Sequence, residues 1–229
     1  MMAKKKRQKQ TMNEKLNALR AGVLGSNDGV LTVVGVLVSV AAATTDNFTI
    51  FIAGLSDLLA CAFSMASGEY ASVSTQKDTE KAAVEREEKL LQTDREAEVS
   101  AVADYYAKKG ITDQTARQIA IDLLNKKPLE TVVRVKYGIQ LGHYMNPWEA
   151  AFASLFSAAA GGIFPLFAMT FSPVDFKWYA TILAVVLASA LTGFISSKLG
   201  NGLVKVAVIR NIVIGLITIC IHYGVGKLF

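Results

Sequence analysis

The sequence predicts an all-α integral membrane protein: five transmembrane helices, with a small cytoplasmic helical domain between helices 2 and 3. Three observations lead there. Apolar residues make up 52% of the 229 positions and mean hydropathy is +0.36. Those residues fall in blocks near the roughly 20 residues that a helix needs to cross a bilayer. The charged residues gather instead before the first block and between the second and third.

Residues 1–20 form a basic segment with Lys4, Lys5, Lys6, Arg7 and Lys9. Because it flanks a membrane segment, it reads as a topology determinant that contacts anionic lipid headgroups, not as a nucleic-acid tail. Glu14 to Arg20 forms an amphipathic lead-in at the surface. Residues 21–71 hold the first two transmembrane helices, with apolar blocks at Asp28–Thr44 and Phe48–Met65. Gly25 and Gly29 have the spacing that lets helix backbones approach closely, either within one subunit or at a dimer seam. After the turn Thr45-Asp46-Asn47 no strong turn signal occurs until about Thr93, so the second helix is expected to continue past the membrane through Gln76–Leu91.

Residues 72–146 have the composition of a small helical domain that includes this extension. Lys109-Gly110 is a helix stop, and Thr112 is a good N-cap for a helix over Asp113–Leu124. Lys127-Pro128 restarts a helix that ends near Tyr137-Gly138. So short a segment is expected to pack on the helix 2 extension or on a second subunit. Residues 147–229 supply the last three spans, at Ala150–Phe171, Tyr179–Ser196 and Val204–Tyr223. Asn146-Pro147-Trp148 opens the third, with Pro at the first helical position and Trp at the interface. Gly161-Gly162 and Pro165 predict a kink. Arg210 has a structural reading, either snorkelling or paired with an acid.

Net charge is +5, and its distribution sets the topology. The positive-inside rule places the N-terminus, the middle domain and the Lys198–Lys205 loop in the cytoplasm, with the C-terminus outside. Cys61 and Cys220 both fall within spans, which argues against a disulfide framework. The polar N-terminus does not read as a cleavable signal peptide.

Asp28 and Asp57 are the chemically informative residues. A carboxylate inside a membrane segment costs about 2.5–3.5 kcal/mol on insertion scales, and such groups usually face a cavity and mark an ion path. Asp28 could cap a helix at the membrane surface, but the helical character of the preceding residues favours a place within a continuous helix. On helix 2, Asp57, Cys61, Met65 and Glu69 recur every four residues and share one drifting stripe. Carboxylates suit hard cations, whereas thiol and thioether favour softer metals, so the mixed set suits a borderline ion such as Fe²⁺. Taken singly, Met65 and Cys61 read as core filling. No P-loop, Gly-x-Ser-x-Gly, Glu-x-x-His pair or Cys/His cluster occurs. An enzyme and an ATP-driven pump are therefore unsupported, no cofactor is required, and coupling to an ion gradient is the simpler reading.

At these residues the chain resembles the vacuolar iron transporter family, which includes yeast-type vacuolar iron/manganese transporters and plant nodulin-like proteins. The resemblance is carried by Ser26-Asn27-Asp28-Gly29, by Gly54-Leu55-Ser56-Asp57, and by Ser64-Met65-Ala66-Ser67-Gly68-Glu69-Tyr70. Tyr105-Tyr106-Ala107-Lys108-Lys109-Gly110, Asn146-Pro147-Trp148 and Arg210-Asn211-Ile212-Val213-Ile214-Gly215 extend it over nearly the whole chain. It implies a homodimer that exports Fe²⁺, often Mn²⁺ too, from the cytoplasm in exchange for protons, along a path between the subunits. The partners implied are a second copy, the bilayer, a divalent metal ion and protons, with no nucleic acid. The membrane would be the cell membrane in a prokaryote and the vacuolar membrane in a fungus or plant.

The family's carboxylate in span one carries over to Asp28, its acidic position in span two (usually glutamate) to Asp57, and its methionine to Met65. In the cytoplasmic domain a metal-binding glutamate carries over to Glu87, and more loosely others to Glu96 and Glu98. Partner positions read Leu90 and Ala101, the usual glutamates before the Gly-Ile step read Val135 and Lys136, and a methionine pair reads Val132-Val133. The expected metal ligands are thus Asp28, Asp57, Met65, Glu69 and Glu87. The alternative is a membrane-anchored metal-binding or sensing protein that does not transport.

Overall fold

In a computed structural model, residues 12–228 are described, with side chains from Leu16 onward; the basic run Lys4–Lys9 lies outside them. All regular structure among these residues is helical: α1 (Met12–Ala43), α2 (Asn47–Thr93), α3 (Arg95–Ala107), α4 (Asp113–Lys126), α5 (Pro128–Tyr137), α6 (Pro147–Phe171), α7 (Lys177–Leu199) and α8 (Val204–Gly226). Five of them, α1, α2, α6, α7 and α8, are long and apolar enough to cross a membrane. The chain divides into two compact units, one of residues 1–71 and 147–229, the other of residues 72–146. Helix α2 runs unbroken from the first into the second. Its 47 residues span about 70 Å at 1.5 Å per residue, more than twice a hydrocarbon core of about 30 Å.

In the membrane unit α1 is the central element. Its buried face, Val30, Val33, Val34, Leu37 and Val38, meets Ile50 and Leu58 of α2, Leu166 and Met169 of α6, Val185 of α7 and Ile219 of α8. Apolar burial gives little driving force in lipid, so close van der Waals contact has to supply it. Glycines permit that contact. At Gly29 an added Cβ would collide with the Ala158 carbonyl of α6, and at Gly161 with the Ser26 carbonyl of α1. Gly25 faces the Ser154 carbonyl at 2.6 Å from such a Cβ. The Gly25/Gly29 spacing therefore serves packing within one chain. Ser26 Oγ meets Thr192 Oγ1 at 2.9 Å and ties α1 to α7.

The apolar block read as starting at Asp28 starts earlier, because the candidate first span runs from Leu16 to Ala43. The polar run Ser26-Asn27-Asp28 is interior to α1 and does not bound it. Pro165 lies within an uninterrupted α6. Aromatic pairs mark both ends of the bundle, as expected at membrane interfaces. Trp178 and Tyr223 meet edge to face with centroids 5.5 Å apart, and Tyr70 and Trp148 lie 4.8 Å apart.

The second unit is held by two small cores. Val99, Val102, Ala120, Leu124 and Val132 form one, and Ala83, Val84, Val133 and Ile139 the other. Ala83 and Val84 belong to α2, so this unit packs on the helix 2 extension. Val132 and Val133 are fully buried apolar residues of these cores. Asp94 caps α3 by accepting from the Ala97 N–H at 3.1 Å. Thr112 precedes α4, but its hydroxyl donates to Thr115 Oγ1 and makes no cap bond. Gly138 ends α5 with φ +70°, which only glycine adopts cheaply.

Candidate functional site

Helix rise alone places the two intramembrane aspartates deep in the bundle. Asp57 lies about 15 Å along α2 from Asn47, and Asp28 about 22 Å back along α1 from Ala43. The two helices bring these residues together. Cys61 Sγ, one turn after Asp57, donates to Asp28 Oδ2 at 3.4 Å. Asp57 lies within electrostatic reach of Asp28 and His222, with the Thr32 side chain within hydrogen-bonding reach. Asp57 Oδ2 is buried and receives no hydrogen bond from the protein. A buried carboxylate oxygen without a donor is costly, and a proton or a cation would relieve it. Thr32 Oγ1 donates at 3.0 Å to the Asp28 carbonyl.

Met65 is half-buried and packs against Cys61, Ala62 and Ala158. Its thioether therefore stands one turn from the thiol that touches Asp28. Glu69 follows on the same stripe; it is buried, and Arg20 Nη2 of α1 lies 3.6 Å from its Oε2. The stripe is thus used in two parts, with Cys61 turned to Asp28 and Glu69 to Arg20. Among the described residues no three His, Cys, Asp or Glu side chains converge closely enough to hold a metal ion as a cluster.

Sequence reasoning gave no role to His222. Its Nδ1 lies 3.2 Å from Ser39 Oγ, which also donates to the His222 carbonyl at 3.0 Å. Gly35 makes room for the ring: an added Cβ there would lie 2.8 Å from Nε2. A histidine inside an apolar span was the available signal.

The carboxylates of the second unit are engaged otherwise. Glu87 Oε2 accepts from Lys136 Nζ at 2.7 Å, and Glu87 Oε1 from Tyr137 Oη at 2.6 Å. The same ammonium reaches Glu98 Oε1 at 2.7 Å. Burial alone would raise the Glu87 carboxyl, but the hydrogen bonds from Lys136 and Tyr137 and the Lys136 and Arg86 charges hold it below the usual glutamate range. Burial would depress Lys136, yet its bonds to Glu87 and Glu98 keep it above the usual lysine range. Glu96 is paired with Arg117.

These shifts set a pH window. Glu87 contributes stability that is complete above its ordinary 4.5 and is lost as pH falls through its lower folded value. Lys136 contributes stability that is complete below 10.5 and is lost as pH rises through its higher folded value. Hydrogen exchange of α3 and α5 in the full chain should accelerate relative to α1 as pH drops below about 4.5. Glu87→Gln should remove most of that acid-side change. An identical acid response in the variant would show that Glu87 does not govern it.

Comparison with known proteins places these residues in context. The family model described as VIT family matches residues 19–227. A vacuolar iron transporter of Acanthamoeba castellanii is 32% identical over 214 residues, covering 92% of this chain and 78% of that protein. Vacuolar iron transporter homolog 1 of Oryza sativa subsp. japonica is 32% identical over 215 residues, covering 92% and 73%. VIT-like transporter 1b of Glycine max is 27% identical over 212 residues, covering 92% and 75%.

Proposed function

We propose that this chain, which belongs to the VIT family, exports divalent iron from the cytoplasm in exchange for protons, with Mn²⁺ as a second cargo. The carrying observation is that Asp28 and Asp57, from two membrane helices, lie within electrostatic reach of each other beside Cys61, with one Asp57 oxygen left without a donor. Two carboxylates so placed repel when both are charged, so a proton or a divalent cation stabilises the pair. The two cargoes then compete for the same oxygens, which is the essence of exchange. Cys61 and Met65 add soft donors beside the carboxylates and favour Fe²⁺ over Mg²⁺ or Ca²⁺. In this reading the path runs between two copies of the chain, each offering Asp28, Asp57 and Met65. The basic N-terminus, the second unit and the Lys198–Lys205 loop face the cytoplasm. The membrane is vacuolar in a fungus or plant and the cell membrane in a prokaryote.

The test is flux. In proteoliposomes with an acidic lumen, inward Fe²⁺ movement should depend on the pH gradient and should collapse when a protonophore dissipates it. Metal binding without gradient-dependent uptake would instead favour the membrane-anchored sensor. Cys61→Ser should lower the preference for Fe²⁺ over Mn²⁺ while sparing exchange, because a hydroxyl is a harder ligand than a thiol. An unchanged selectivity ratio would remove Cys61 from the path.

A further inference from the structure

We infer that Glu87 and Glu98 form a cation site whose resident cation is the chain's own Lys136 ammonium, and that a divalent ion occupies it only once that ammonium is removed. Glu87 on α2 and Glu98 on α3 are 1% and 3% exposed. Lys136 on α5 sends its Nζ between them, 2.7 Å from Glu87 Oε2 and 2.7 and 2.6 Å from Glu98 Oε1 and Oε2. Three carboxylate oxygens from two helices thus surround one nitrogen. The fourth, Glu87 Oε1, is held by Tyr137 Oη at 2.6 Å and lies 3.8 Å from Arg86 Nε.

Two carboxylates this deeply buried require a cation at that point. The distances are those of an ammonium, but they approach the 2.3–2.6 Å typical of large divalent ions bound by oxygen. A divalent ion at the nitrogen's position would need shifts of only a few tenths of an ångström. The donors are all hard oxygens, so the vacated site would accept Ca²⁺ or Mn²⁺. In the chain as it exists, α2, α3 and α5 are joined by a covalently tethered charge, and their packing needs no metal ion.

The probe is Mn²⁺, followed by its paramagnetic resonance on the detergent-purified full chain. Glu98→Gln in the otherwise unaltered chain should leave the amount of bound Mn²⁺ unchanged. Lys136→Met should bind about one additional Mn²⁺ per chain, and Lys136→Met/Glu98→Gln should weaken that extra binding by about tenfold or more. The comparison of these two variants cancels any Mn²⁺ held elsewhere. Should Lys136→Met unfold the second unit, as judged by hydrogen exchange of α3 to α5, millimolar Mn²⁺ should restore its protection. Loss of a bound Mn²⁺ in Glu98→Gln alone would overturn the inference, because metal would then be displacing the lysine. So would a Lys136→Met chain that neither gains Mn²⁺ nor is restored by it.

Discussion

Asp28→Asn is expected to reduce Fe²⁺ uptake into proteoliposomes to the level of protein-free vesicles. The substitution keeps the size of the side chain and its capacity to accept from Cys61, but it removes the charge. Even changes in residues that merely support metal ligands cost about 10–100-fold in metal affinity. Loss of a proposed ligand charge in a medium of low dielectric should cost at least about 100-fold. Asp57→Asn should fail similarly, whereas Asp57→Glu should retain exchange, since it restores the carboxylate on a longer arm. Both asparagine variants should elute and melt like the unaltered protein. Uptake at normal rates in either would remove that residue from the path.

The second large effect concerns the scaffold. Gly29→Ala should prevent normal assembly of the membrane unit, because the new methyl group would overlap the Ala158 backbone carbonyl. No rotamer relieves such a clash, since Cβ is fixed by the backbone, and α1 would have to move off α6. Overpacking usually costs about 1–3 kcal/mol, and a backbone obstacle lies at the upper end or beyond. Gly161→Ala should behave in the same way against the Ser26 carbonyl. Gly22→Ala, on the same helix with nothing within 4 Å of its added methyl, should be neutral or gain up to about 1 kcal/mol from helix propensity. Thermal unfolding and size-exclusion profiles in detergent would separate these cases. Equal stability of Gly29→Ala and Gly22→Ala would contradict the close α1–α6 crossing.

Those glycines also show how far the sequence could be read. Five apolar blocks were visible because membrane helices need a length of hydrophobic residues that soluble helices do not. The helical character of the residues before Asp28 pointed to one continuous helix, which α1 is, but the apolar span was read as starting too late, because Ser26, Asn27 and Asp28 look like a boundary in hydropathy. Their polarity is internal: Ser26 meets Thr192, and Asp28 meets Cys61. The Gly25/Gly29 spacing announced a close helix contact without naming the partner, which proves to be α6 of the same chain. Asp28, Asp57 and Met65 could be singled out because charge and sulfur are exceptional in such segments. His222 carried the same kind of signal, a histidine in an apolar span, but its partner could not be read, because Ser39 is 183 positions away and no spacing rule links them. The same holds for Lys136, whose carboxylates lie 49 and 38 positions upstream. A run of glutamates reads as a solvated face until the fold shows which of them are buried.

The central claim is that Asp28 and Asp57 together receive the transported ion. The most direct measurement is a structure of the full-length protein in lipid or detergent with a divalent transition metal such as Co²⁺ or Fe²⁺, located by its anomalous scattering. The account predicts a metal peak within ligand distance of Asp28 and Asp57 carboxylate oxygens, with Met65 beside it, and no such peak in Asp28→Asn. A saturating metal found only elsewhere in the chain, with both carboxylates unengaged, would contradict it.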